Sequence, residues 1–151
     1  LEHSEKTLLV IAFVITLLVG AVTPMTLADV LPTRNQVQSV RIYRVPDAAE
    51  TPVRVTPRTV QWLYVDEATV RSGDTLTWAG LFDSFDSVRL KGSCQQAAVD
   101  ARWILVLQGD QEKTLATIGL NESSCMQIDR KVYFWNGSLI RFLRRAFSFM
   151  N

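Results

Sequence analysis

Residues 8–27 read LLVIAFVITLLVGAVTPMTL, a stretch without a charged side chain. About twenty apolar residues match the hydrocarbon thickness of a bilayer when helical. A soluble helix of that length needs a polar face, and this one is apolar all round. The segment therefore reads as a membrane-inserting helix, with residues 1–28 a signal peptide or a transmembrane anchor. As a signal peptide, residues 8–22 form the apolar region and Pro24 breaks the helix. Thr26-Leu27-Ala28 then offers a small-residue cleavage site before Asp29. As an anchor, the same residues stay in the bilayer. Both readings remain open.

The flank ahead of the segment, Leu1-Glu2-His3-Ser4-Glu5-Lys6, carries one lysine, and Arg34, Arg41 and Arg44 follow it. Positive charge is therefore nearly balanced across the segment, which leaves the positive-inside rule little to act on. A short leading flank and a large trailing domain together favour export, so the domain is expected outside the cytoplasm. After the leader, residues 29–36 (DVLPTRNQ) read as a short polar linker, and residues 37–151 as one domain. Some 120 residues suffice for one modest core without obligatory metals.

Charge excludes one class of partner. The chain carries a net charge of +1, and without residues 1–28 it holds 15 Lys and Arg against 13 Asp and Glu. So small a surplus gives no general attraction to nucleic acid, and no nucleic-acid partner is expected.

The two cysteines, Cys94 and Cys125, lie in polar, turn-like contexts, GSCQ and SSC. An even pair outside the cytoplasm is a disulfide candidate. Closing a loop of that length is worth about 3–4 kcal/mol in the chain-entropy treatment. Neither cysteine stands where lipid attachment beside the membrane segment would require it.

Alternation predicts a strand over residues 37–45, and another over 59–65, where Val60, Trp62 and Tyr64 share a face. The period then changes. Trp78, Leu81, Phe82 and Phe85 fall at i, i+3, i+4 and i+7, so residues 74–86 are expected as an amphipathic helix. Ser72-Gly73-Asp74-Thr75 supplies cap chemistry at its start. The run Trp103-Ile104-Leu105-Val106-Leu107 does not alternate, as expected of a central strand covered on both faces. Residues 88–90, 114–120, 126–128 and 132–135 complete the strands, with turns at 109–112 and 129–131. A final helix over 138–150 gathers Arg141, Arg144 and Arg145 on one arc and apolar side chains on the rest. The expected class is α+β, a mostly antiparallel sheet with two packed helices, preceded by the N-terminal hydrophobic helix.

The succession TVQWLYVDEATV, LTWAGLFDSF, RWILVLQGDQEKTLATIGL and CMQIDRKVYFWNGSLIRFLRRAF resembles small bacterial secreted or membrane-anchored α+β domains of unknown function. The resemblance spans residues 37–149 and implies no active site.

Catalytic sets are sparse. The single histidine, His3, precedes the hydrophobic segment. Neither a Ser-His-Asp triad nor a histidine-based zinc site can therefore assemble in one domain. No CxxC pair, GxGxxG or Walker loop occurs. No metal and no cofactor are expected. Asp83 with Asp86, and Asp66 with Glu67, are the carboxylate pairs, and solvated surface charges explain them as well as general acid–base chemistry does. Asn121-Glu122-Ser123 and Asn136-Gly137-Ser138 fit the glycosylation pattern, which matters only in a eukaryotic secretory route.

Two surface candidates remain. Arg130, Lys131, Arg141, Arg144 and Arg145, opposed by Asp129, suit an anionic lipid surface or an acidic partner. Trp62, Tyr64, Tyr133 and Trp135 lie on strands whose alternate side chains can face outward, as aromatic partner sites do. The expected function is a non-enzymatic extracytoplasmic binding or interaction module, secreted or tethered through residues 8–27. A structural accessory subunit of a membrane assembly is the alternative, and a small carboxylate-based hydrolase ranks last.

Overall fold

The computed structural model describes residues 24–46, 54–56, 58–60, 66–96 and 98–148. Residues 8–23 of the hydrophobic segment, the expected strand over 61–65 and its Trp62 and Tyr64 lie outside the described residues. Among the described residues no helix is long and apolar enough to cross a membrane.

The elements are α1 (Leu27–Val30), β1 (Ser39–Arg44), β2 (Asp66–Arg71), α2 (Thr75–Ser87) and β3 (Arg89–Ser93). They are followed by β4 (Trp103–Gln108), β5 (Thr114–Leu120), β6 (Cys125–Ile128), β7 (Lys131–Asn136) and α3 (Leu139–Ala146). The strands form one seven-stranded sheet in the order β2-β1-β4-β5-β6-β7-β3, antiparallel at every pair. Strands β4 to β7 run as a meander, because short turns join them and an antiparallel pair needs no crossover. The class is α+β, as its periodicities indicate.

Strand β4 lies at the centre of the packing. Trp103, Leu105 and Leu107 join Val40 and Ile42 of β1 and Ile118 and Leu120 of β5 beneath the helices. Ile104 turns to the opposite face, where Val45, Val55, Val60 and Ala101 cover it. Both faces of this strand are buried, which is why its sequence is apolar without alternation. On α2 the stripe Trp78, Leu81, Phe82 and Phe85 is buried, with ring centroids 4.8 Å apart for Trp78–Phe82 and 5.3 Å for Phe82–Phe85. Offset and edge-on arrangements of this kind add to the area burial.

Asp74 precedes α2, yet its carboxylate does not cap the helix. It accepts from the Arg71 amide at 2.9 Å and so ties the end of β2 to the start of α2. Strand β2 itself went unanticipated, since DEATVR offers only Ala68 and Val70 as an apolar face. Helix α3 is shorter than its periodicity suggests. It stops at Ala146, and Phe147, at φ −122°, swings its ring into the core.

The largest departure concerns residues 25–36, expected as the end of a leader and a free linker. They pack into the body. The Leu27 amide donates to the Val88 carbonyl at 3.0 Å, and the Leu90 amide donates to the Met25 carbonyl at 2.9 Å. Thr26 bridges to Arg89 and covers the outer edge of β3, an edge that would otherwise offer unpaired backbone groups. Leu27, Leu31 and Val37 are buried in the main core. The Asp29 carboxylate accepts from both the amide (2.7 Å) and the hydroxyl (2.9 Å) of Thr26. These hydrogen bonds, first the backbone one, lower its pKa from the ordinary 3.8. The Thr26-Leu27-Ala28 tripeptide thus lies inside the packed body.

Cys94 and Cys125 form a disulfide with Cα atoms 6.0 Å apart, within the usual span. It sits on the sheet face away from the helices, with Val99 and Val132.

Candidate functional site

A surface groove lies where β6 begins and β7 ends. Cys125 pairs with Phe134 in the ladder, so the loop 121–124 and the β7 end are neighbours. The loop is pinned from several directions. Asn121 accepts from the Ser123 amide at 2.7 Å and donates to the Asp100 carbonyl at 2.9 Å. The Trp135 indole donates to the Ser123 carbonyl at 3.2 Å, and the Trp135 amide donates to that of Ser124 at 2.9 Å. The disulfide at Cys125 anchors the base of the same loop.

Gly137 makes the turn into α3. Its φ is +151°, and a Cβ there would stand 3.0 Å from the Val88 Cα. Only glycine permits that approach without strain. The close contact sets the start of α3 against the end of α2, where Ser87 and Ser138 place their hydroxyls 3.4 Å apart. Further along, Gly80 of α2 lies under the Phe142 ring, with a Cβ position 2.8 Å from the ring edge. The two helices therefore cross closely, and α3 lies beside the 121–124 loop.

Between loop, β7 end and α3 runs an open groove of about 620 Å³. It is lined by Glu122 and Ser124 from the loop side, by Trp135 and Asn136 of β7, and by Arg141 and Arg144 from the α3 side. Volumes in this range hold peptide side chains or small ligands. Glu122 reaches across and pairs with Arg144, both side chains staying about half exposed, at 64% and 45%. Arg141 is exposed and forms no ion pair among the described residues. It also borders a second groove of about 380 Å³, shared with Arg145, Asp83, Ser84 and Ser138.

The five basic candidates do not form one face. Arg141 and Arg144 share the groove, and Arg145 lines its neighbour. Arg130 and Lys131 occupy the β6–β7 turn, at the far end of β7 from Asn136. A six-residue strand at about 3.3 Å per residue separates the two groups by roughly 16 Å. Screening at physiological salt makes them nearly independent at that distance.

Of the aromatic candidates, Tyr133 and Trp135 are half-buried and turn toward the helices, packing on the main core. Phe134, between them, faces the other way and is 40% exposed. Asp83 and Asp86 are exposed on α2, and Glu67 pairs across the β1–β2 ladder with Arg41 at 3.7 Å. Among the described residues no group of three or more His, Cys, Asp or Glu gathers. Asn136 lines the groove, and the Asn121 side chain is committed to its own loop.

Sequence reasoning missed Glu122, Ser124 and Ile140 as groove residues. Glu122 and Arg144 are 22 positions apart on unconnected elements, and no local pattern reports such a meeting. Comparison with protein-family models, with curated proteins and with solved structures finds no match for the chain. The chemistry of the groove therefore rests on its own residues.

Proposed function

We propose that the chain is an extracytoplasmic interaction module, tethered to a membrane through the part of the hydrophobic segment 8–27 that precedes Met25, which engages a protein partner at the groove between loop 121–124, β7 and α3. The observation that carries this reading is the convergence there of Trp135 with Arg141 and Arg144 on rigid elements. Tryptophan and arginine dominate the energetics of protein contacts. Here they sit in an open concavity whose rim is pinned by hydrogen bonds and a disulfide. The Cys94–Cys125 bridge is consistent with an oxidising compartment, where disulfides persist. Packing of Leu27 into the core supports retention of the hydrophobic segment, because cleavage before Asp29 would strip a buried side chain from the domain.

A photo-crosslinking residue at Ile140, in the groove, tests the reading in native membranes. One discrete adduct is expected from this position, none from the exposed Thr114 of the distant β4–β5 hairpin, and loss of the adduct in Arg141→Glu. Equal labelling from both positions refutes the groove as the contact surface.

One observation favours the second reading, an accessory subunit of a membrane assembly. The backbone is hydrogen-bonded into the sheet from Met25 onward, so two residues at most separate the hydrophobic stretch 8–22 from the folded body. A stable complex on extraction in mild detergent is the expected signature, and a lone monomer counts against it.

A further inference from the structure

We infer that the groove takes an acidic polypeptide segment, and that Glu122 occupies its carboxylate subsite in the free protein. The inference rests on the groove being the contact surface, and it names the chemistry of what enters. Arg144 already holds a carboxylate there, that of Glu122. Arginine presents a planar fork that matches a carboxylate, which is why it recurs wherever carboxylates are recognised. Arg141 stands one helical turn earlier on α3, exposed and without an ion pair among the described residues. Residues three apart on a helix are neighbours, so α3 offers two guanidinium groups in succession.

The loop and β7 supply what an extended chain needs between its charges. Ser123 and Ser124 are exposed, Asn136 is exposed at the end of β7, and Trp135 lines the groove with them. Among the described residues, Glu122 is the only acidic one lining this groove. Its pair with Arg144 is substantially exposed, and exposed pairs of this kind are weak. An incoming carboxylate can therefore compete with Glu122 for this position. An open groove lined by hydroxyls, an amide and an indole beside two neighbouring guanidinium groups offers an extended polypeptide hydrogen bonds between its charges, which a lipid headgroup surface does not use.

The test uses the full chain in neutral phosphatidylcholine nanodiscs with fluorescent hexaglutamate amide, and hexalysine as control. Hexaglutamate is expected to bind in a salt-sensitive manner and hexalysine not at all. Arg141→Glu should weaken binding about tenfold or more, by removing one charge-assisted contact and adding a repulsive one. Glu122→Gln should strengthen it about two- to fivefold, the worth of an exposed ion pair no longer in competition. Unchanged affinity in Glu122→Gln overturns the subsite assignment. No hexaglutamate binding at low salt, or binding of phosphatidylglycerol vesicles in its place, overturns the acidic-segment inference. Should the Ile140 adduct persist in either case, the contact surface stands and only its proposed occupant falls.

Discussion

Replacing Leu27 by alanine tests whether the residues behind the hydrophobic segment belong to the domain. Leu27 has no exposed surface and lies in the main core with Val88 and Leu90. The substitution keeps the backbone hydrogen bonds to Val88 and Leu90, so chain ordering is unchanged and only side-chain contact is lost. Burying a leucine is worth about 1.5–3 kcal/mol in transfer free energy. With the cavity added, leucine-to-alanine changes in cores cost about 3–5 kcal/mol. For a domain of this size that corresponds to a fall of roughly 10–20 °C in Tm. Urea unfolding of the full chain in neutral detergent, followed by tryptophan fluorescence, reads the change through Trp78 and Trp103, which are buried in the same core. Leu76, 89% exposed on α2, provides the control, and Leu76→Ala should shift stability by less than about 0.5 kcal/mol. A loss below about 1 kcal/mol for Leu27→Ala would show that residues 25–28 hang outside the body. Cleavage before Asp29 would then leave an intact domain.

Other substitutions probe the turns and caps. Gly137→Ala forces a Cβ against the Val88 backbone at an unfavourable φ and should cost about 1–3 kcal/mol in thermal unfolding, whereas Gly73→Ala, which meets open space, should be nearly silent. The β4–β5 turn holds Gln111 and Glu112 at φ 54° and 58°, the conformation for which Asn-Gly is preferred; the double change Gln111→Asn, Glu112→Gly should raise stability by about 1 kcal/mol or more. Asp29 has a lowered pKa in the folded chain, so its contribution is present above the unfolded value near 3.8 and is lost as pH falls through the folded value. Asp29→Asn should therefore reduce Tm at pH 7 and converge on the parent as the pH drops below 3.8; a pH-independent difference refutes the role of the carboxylate.

Much of the fold was legible because it is local. The spacing of Trp78, Leu81, Phe82 and Phe85 reports a helix face whatever the rest of the chain does, and the unbroken run in β4 reports burial on both sides. Strand β2 escaped because two of its residues are acidic and its apolar face is only Ala68 and Val70; pairing with β1 determines its conformation. Residues 25–36 were misread for a related reason. Their buried apolar members Leu27 and Leu31 are too sparse to declare a core, and the first of them ends a stretch that already had an explanation. The groove was illegible as a unit, since it joins a loop, a strand end and a helix through tertiary packing alone. Arg141, Arg144 and Trp135 were each visible as candidates, while Glu122, the residue that gives the arrangement its chemical sense, looked like any loop carboxylate.

Intact mass of the protein isolated from native membranes tests most directly the proposal of a disulfide-bonded domain held at a membrane by its own N-terminal segment. Alkylation before and after reduction accompanies the measurement. The predicted result is a chain that retains residues 8–28 and takes up alkylating reagent on Cys94 and Cys125 only once reduced. A chain beginning at Asp29, with both cysteines alkylated before any reductant is added, would contradict it.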